Sequence, residues 1–150
     1  MNGKPTKAFV LVSIAMLIAG VSAFCIGLLN AQMALNEKGY YFAILIFGLF
    51  SFVSLQKTVR DKLEGSFISK PYIIMCWVAS ATSIALLTIG LINAELLLSE
   101  KGFYAMAYLL SGFAAITVQK NVRDSIAVSE NIESQELEKP EEVNEELLTN

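Results

Sequence analysis

The sequence predicts an all-α fold: a four-span transmembrane helical bundle made of two parallel two-helix hairpin repeats, followed by an acidic cytoplasmic tail. Three observations predict it: an apolar composition, four uncharged runs and an ungapped internal repeat. Of the 150 residues, 55% are hydrophobic and 17% charged, against about a quarter charged in a soluble domain. The runs Ala8 to Leu29 and Tyr72 to Ile92 carry no charge and exceed the ~20 residues a helix needs to cross the ~30 Å hydrocarbon core. Tyr40 to Leu55 and Phe103 to Val118 are also uncharged; at about 16 residues each they sit just under the same limit.

The first run follows Lys4 and Lys7 and ends near Val21-Ser22-Ala23, which imitates a signal peptide. It is longer than a signal core, however, and aligns without a gap to the second long run, which is internal. It therefore reads as the first span.

Gly27 to Asp61 aligns with Gly90 to Asp124, and identities gather at the two ends of the short span. At one end "GLLNAQMALNEKGYY" faces "GLINAELLLSEKGFY"; at the other "QKTVRD" faces "QKNVRD". Between these blocks only Phe50 and Phe113 match over Phe42 to Leu55. A duplicated hairpin follows, with a first repeat over 1–64, a linker over 65–70, a second repeat over 71–127 and the acidic segment over 128–150. That segment holds eight glutamates and one lysine, the composition of a solvated, largely disordered tail; the alternatives are a short helix before Pro140 or a basic partner.

Basic residues retained on the cytoplasmic side orient the spans. Lys4, Lys7, Lys57, Arg60, Lys62, Lys70, Lys120, Arg123 and Lys139 fall on one side, and only Lys38 and Lys101 on the other. Both termini are therefore expected in the cytoplasm and the Glu-Lys-Gly loops outside. An even number of spans per repeat then makes the repeats parallel.

Chemistry is bounded by what is missing. The sequence has no histidine, Cys25 and Cys76 lie one in each long run, and acidic residues keep to loops, span ends and tail. No catalytic, cofactor-binding or metal-binding residue is assigned, and an enzyme is not expected.

The candidate structural or interaction motif is instead the repeated polar set. Its outer half comprises Asn30, Glu37, Lys38, Gly39 and Tyr41 with Asn93, Glu100, Lys101, Gly102 and Tyr104. Gly39 and Gly102 suit helix termini in the left-handed conformation, and the tyrosines suit an aromatic belt at the headgroups. A continuous helix from Ala8 to Lys38 would run about 46 Å, far longer than its neighbour. It is expected to bend near Gly27 to Asn30 and lay Ala31 to Lys38 along the interface, to project beyond the lipid, or to draw Lys57 and Arg60 inward. Symmetry suggests that Glu37 pairs with Lys101 and Glu100 with Lys38; the alternative leaves all four solvated.

The inner half comprises Gln56, Lys57, Arg60 and Asp61 with Gln119, Lys120, Arg123 and Asp124. Lys57 with Asp61 and Gln56 with Arg60 stand four apart and suit weak pairing along one helix. Small-residue ridges, Ala15-Ala19-Ala23-Gly27 and Ala107-Ser111-Ala115, suit close helix packing.

On the "GL-x-NA", "EKG-x-Y" and "QK-x-VRD" blocks, each present twice, the sequence resembles the yiaA/B two-helix domain family of bacterial inner-membrane proteins over about residues 8 to 124. The resemblance implies two transmembrane helices per domain and residence in the inner membrane, and it carries no activity, substrate or catalytic residue.

Two functions compete. One is a non-enzymatic structural or interaction protein in contact with the lipid bilayer, with a second copy or another membrane protein as partner and no nucleic acid. The other is a small transporter or channel subunit for an uncharged solute, with Ser51, Ser54, Thr82, Ser83 and Thr117 along a path and Glu95, whose counterpart is Gln32, at its outer mouth.

Overall fold

The structure, a computed structural model, describes residues 5–148, with side chains given throughout except at 131, 133 and 135–148. Four helices follow in order: α1 Lys7–Asn30, α2 Leu35–Leu63, α3 Lys70–Asn93 and α4 Leu98–Leu148. Each contains a window long and apolar enough to cross a membrane.

The helix boundaries differ from the sequence expectation first at the corner between α1 and α2. The segment Ala31 to Lys38 neither prolongs the first helix nor lies flat. α1 stops at Asn30, Ala31 and Ala34 are extended, and α2 starts at Leu35. The "NEKG" stretch thus opens the second helix, which removes the length mismatch: α1 is about 36 Å long and α2 about 44 Å. The second copy repeats this with Ala94 extended after α3 and α4 starting at Leu98. Asn30 and Glu37 consequently do not share a helix face.

The packing crosses the repeats. α1 lies along α4, α3 lies along α2, and α2 meets α4 at the centre, whereas α1 with α2 and α3 with α4 touch sparsely. Each hairpin is therefore open, and its first helix packs on the partner repeat's second. Small residues permit this. A Cβ on Gly20 would come within 3.0 Å of the Ser111 backbone nitrogen, one on Gly27 would reach Phe103 and Tyr104, and one on Gly90 would reach Tyr40 and Tyr41. The Gly27 and Gly90 contacts are the same contact with the repeats exchanged.

The buried set is small and partly polar. Phe24, Leu28, Ile44, Leu45, Leu87, Leu91 and Tyr108 form its apolar part, while Ser13, Ser51, Thr58, Ser80, Ser83, Ser111 and Asn121 are also buried. Large apolar side chains such as Leu11, Phe50, Met75, Trp77 and Phe113 point outward. Polar and small groups inside with bulky apolar groups outside is the pattern of helices packed in lipid, where hydrophobic burial between helices supplies no driving force.

The ridge expected over Ala107, Ser111 and Ala115 is buried as anticipated, but Ala15 and Ala19 face outward. The packing face of α1 runs instead through Ser13, Gly20, Phe24 and Leu28. It was hidden because every residue of that run is apolar or small, so no polar face marks the opposite side.

The end of α2 is a Schellman turn. Gly65 has φ 81°, its N–H donates to Lys62 O, and Ser66 N–H donates to Asp61 O. In the second copy the corresponding residue is Val128, which is costly in the left-handed region, and α4 continues to Leu148. The backbone past 128 is thus helical where composition suggested a disordered tail.

Candidate functional site

The outer motif acts locally. Glu37 Oε2 accepts from Ala34 N–H at 2.9 Å and Glu100 Oε2 from Leu97 N–H at 2.8 Å. Each glutamate is the third residue of its helix and reaches back to the capping position, so it satisfies an orphan donor and places negative charge at the positive end of the dipole. Each neighbouring lysine turns to the preceding helix. Lys38 Nζ donates to Leu29 O at 2.9 Å and Lys101 Nζ to Ile92 O at 3.2 Å. Leu29 and Ile92 are among the last residues of α1 and α3, whose carbonyls lack helical partners. Asn30 and Asn93 donate to Ile26 O and Ile89 O. The expected reciprocal pairs Glu37 with Lys101 and Glu100 with Lys38 do not form; each Glu-Lys dipeptide instead clamps one helix corner within its own hairpin.

Gly39 and Gly102 also differ from expectation. They lie inside α2 and α4 and do not terminate them, and only Gly65 among the described residues has positive φ. No neighbouring atom comes within 4 Å of a Cβ placed on either. Tyr41 and Tyr104 are each 4% exposed and stack on one another across the α2/α4 contact at 6.2 Å and 18°. They belong to the core, and the more exposed positions are Tyr40 and Phe103.

Two cavities flank this tyrosine pair. One of about 540 Å³ is lined by Asn36, Glu37, Tyr40, Tyr41, Gly90, Asn93 and Glu95, among others. The other, about 330 Å³, is lined by Gly27, Asn30, Ala31, Ser99, Glu100, Phe103 and Tyr104. Gly27, Asn30, Glu100 and Tyr104 correspond under the repeat to Gly90, Asn93, Glu37 and Tyr41, so each cavity lies between the end of one repeat's first helix and the start of the other repeat's second. Glu95 gives the larger cavity a second carboxylate.

The inner motif, by contrast, joins the repeats. Arg60 Nη1 stands 3.7 Å from Asp124 Oδ1, and Arg60 Nε binds Glu64 at 2.6 Å. Asp124 also receives Lys120 at 3.4 Å and Arg123 at 3.2 Å. The Lys120 pair has the four-residue spacing expected for this motif. Its first-copy counterpart, Lys57 with Asp61, forms no ion pair among the described residues, and Gln56 forms no hydrogen bond to Arg60. Lys57 and Asp61 thus take no part in the ion pairs of the junction.

Two buried polar contacts escaped the sequence reading. Asn121 Nδ2 donates to Ser13 Oγ at 3.0 Å, joining α4 to α1. Thr58 Oγ1 and Cys76 Sγ lie 3.5 Å apart, joining α2 to α3. Thr58 and Asn121 occupy the same repeat position, as do Ser13 and Cys76, so both copies keep a polar link where their residue types differ. Identity could not reveal this; positional equivalence of polar residues could have.

The span hydroxyls named for a path mostly bond to their own helices: Ser51 to Gly48 O, Ser83 to Ser80 O and Thr117 to Phe113 O. Tyr108 additionally donates to Ser83 Oγ at 3.0 Å.

The family model described as "yiaA/B two helix domain" matches this chain twice, over residues 9–61 and 72–124. The chain is 55% identical to the inner membrane protein YiaA of Escherichia coli (strain K12) over 120 residues, covering 80% of this chain and 83% of that protein. It is 42% identical to the uncharacterized membrane protein YubF of Bacillus subtilis (strain 168) over 64 residues, covering 42% of this chain and 74% of that one. No solved structure matches. Two copies of one helical-pair domain, each with its corner clamp and inner polar block, place this chain in the yiaA/B two-helix domain family.

Proposed function

We propose that the chain is a non-enzymatic, multi-pass inner-membrane protein whose repeated polar residues hold two parallel hairpins in a crossed bundle and present its ends to a partner. The observation carrying this reading is the use made of the repeated side chains. Glu37, Lys38, Glu100 and Lys101 secure helix corners, while Arg60 and Asp124 meet across the repeats. Groups committed to architecture at both ends suit a scaffold. The partner is a second copy or another membrane protein, and the termini and acidic segment are cytoplasmic, in keeping with the lysine and arginine distribution.

Photo-crosslinkers at Asn36 and Ser99 in intact cells test the reading. The expected result is capture of a defined protein, either this chain or one distinct membrane protein. Absence of capture together with solute flux through reconstituted vesicles would reject it in favour of a transporter. The larger outer cavity with Glu37 and Glu95 is the feature favouring that second reading, and flux should then fall on Glu95→Gln.

For orientation, cysteines replacing Asn36 or Ser99, in a chain lacking Cys25 and Cys76, should react with an impermeant thiol reagent from the periplasmic side. Labelling only after the inner membrane is opened would invert the proposed topology.

A further inference from the structure

Buried polar atoms without a hydrogen-bond partner are concentrated in one place. Among the described residues they are Gln56 Oε1, Arg60 Nη1, Gln119 Oε1, Asn121 Oδ1, and Arg123 Nε and Nη1. All lie in the last turns of α2 or on the stretch 119–123 in the middle of α4. A buried donor without a hydrogen bond is costly, most of all on a charged group, so three guanidinium nitrogens without one at a single junction need an explanation.

The charges are arranged around one carboxylate. Arg60 Nη1 and Arg123 Nη2 approach the same Asp124 oxygen at 3.7 and 3.2 Å, so these two nitrogens are at most about 7 Å apart. Lys120 lies 3.4 Å from the other oxygen, and Glu64 binds Arg60. Three cations against two carboxylates leave an excess of one positive charge. The arginine side chains are 26% and 25% exposed, so a ligand can approach their outer atoms, and turning a guanidinium toward it would bring the hidden nitrogens into reach.

We propose that the last turns of α2 and the facing stretch 119–124 of α4 form a binding site for a phosphate oxyanion held between Arg60 and Arg123. A guanidinium presents a rigid fork of donors that matches phosphate oxygens, with contacts of about 2.8 Å, and two forks on neighbouring helices can hold one phosphate. Depth agrees. The uncharged runs end at Leu55 and Val118, and each arginine follows five residues later, about 7.5 Å along the helix, where the bilayer passes from hydrocarbon to headgroup. The buried acceptors Gln56 Oε1 and Gln119 Oε1 stand one turn nearer the hydrocarbon on the same helices. They can receive a hydroxyl or ammonium donor carried with the phosphate. The ligand has two sources, a phospholipid headgroup or free phosphate, and it would bridge the repeats beside the Arg60–Asp124 contact that already joins them.

The test uses the full chain purified in mild detergent. Thermal unfolding is followed with inorganic phosphate, with chloride at equal ionic strength, and with phosphatidylglycerol in mixed micelles; lipid retention is read by native mass spectrometry. Stabilisation by both phosphate and lipid identifies a free oxyanion site, and stabilisation by lipid alone identifies a headgroup site. No stabilisation beyond chloride overturns the proposal. Arg60→Gln and Arg123→Gln should each weaken binding by roughly tenfold, and Asp124→Asn, which removes the internal competitor, should strengthen it. Equal binding by the wild type and both arginine variants would also overturn it. Arg60→Lys keeps the charge without the fork, and weaker binding at an unchanged ligand-free unfolding temperature separates recognition from folding.

Discussion

At the residue scale, the repeated Glu-Lys dipeptide works by direction. Adjacent helical residues point ~100° apart, so Glu37 can face its own helix start while Lys38 reaches the end of the helix before it. Glu37→Lys should therefore cost about 1 kcal/mol, through a lost cap and a cation at the wrong end of the dipole. Adding Lys101→Glu should fail to restore it, because Lys101 serves a different corner. Unfolding in a denaturing detergent series measures both, and restoration by Lys101→Glu would revive the cross-repeat pair. Glycines provide a second residue-level contrast. Gly39 is helical with open space around it, so Gly39→Ala should stabilise by about 0.5–1 kcal/mol. Gly20→Ala should destabilise by about 1–3 kcal/mol, because its Cβ would press on the Ser111 backbone, which cannot rotate away. The same unfolding series reads the two opposite signs.

At the element scale, four helices were legible because an uncharged run of adequate length has few alternatives in a membrane, where backbone groups must be satisfied internally. Their starts were not legible. The capping positions are Ala34 and, in the second copy, Leu97, which has no side-chain acceptor to advertise a helix start; the signal lay three residues on, in Glu37 and Glu100. The same glycine two residues after each glutamate invited the opposite reading, as a terminator. At the other end of α2 the glycine does terminate: Gly65 takes φ 81°, whereas Val128 sits in continuous helix. Gly65→Ala should cost about 1–2 kcal/mol. Val128→Gly should loosen α4 beyond the second copy, seen as faster amide hydrogen exchange after residue 128 with little change in the spans. Unchanged exchange there would show that the helix is held past this point by something other than the residue at 128.

On the scale of the whole molecule, duplication showed that two hairpins exist but not that they embrace. Identity between repeats says that equivalent residues have equivalent surroundings, and this holds equally for hairpins closed on themselves and for hairpins exchanging partners. What decides is the pairing of α1 with α4 and α2 with α3, made through contacts such as Ser13 with Asn121, 108 residues apart, and Tyr41 with Tyr104. Such pairs carry no local signature, since a serine in one apolar run and an asparagine past the end of another look like unrelated polar exceptions. The arrangement makes a prediction that no closed-hairpin bundle shares. In a chain with Cys25→Ala and Cys76→Ser, the double substitution Ser13→Cys and Asn121→Cys should form a disulfide under mild oxidation, because the native side chains already meet at 3.0 Å and disulfides need closely approaching Cβ atoms. Ser13→Cys with Thr58→Cys should not, since α1 and α2 pack sparsely. Cleavage at a protease site placed in the linker around Phe67, which is 98% exposed, supplies the readout. The two halves should stay together on a non-reducing gel only for the 13–121 pair and separate on reduction. A 13–58 link, with halves that part without reductant, would mean that each hairpin closes on itself and that the crossed bundle is wrong.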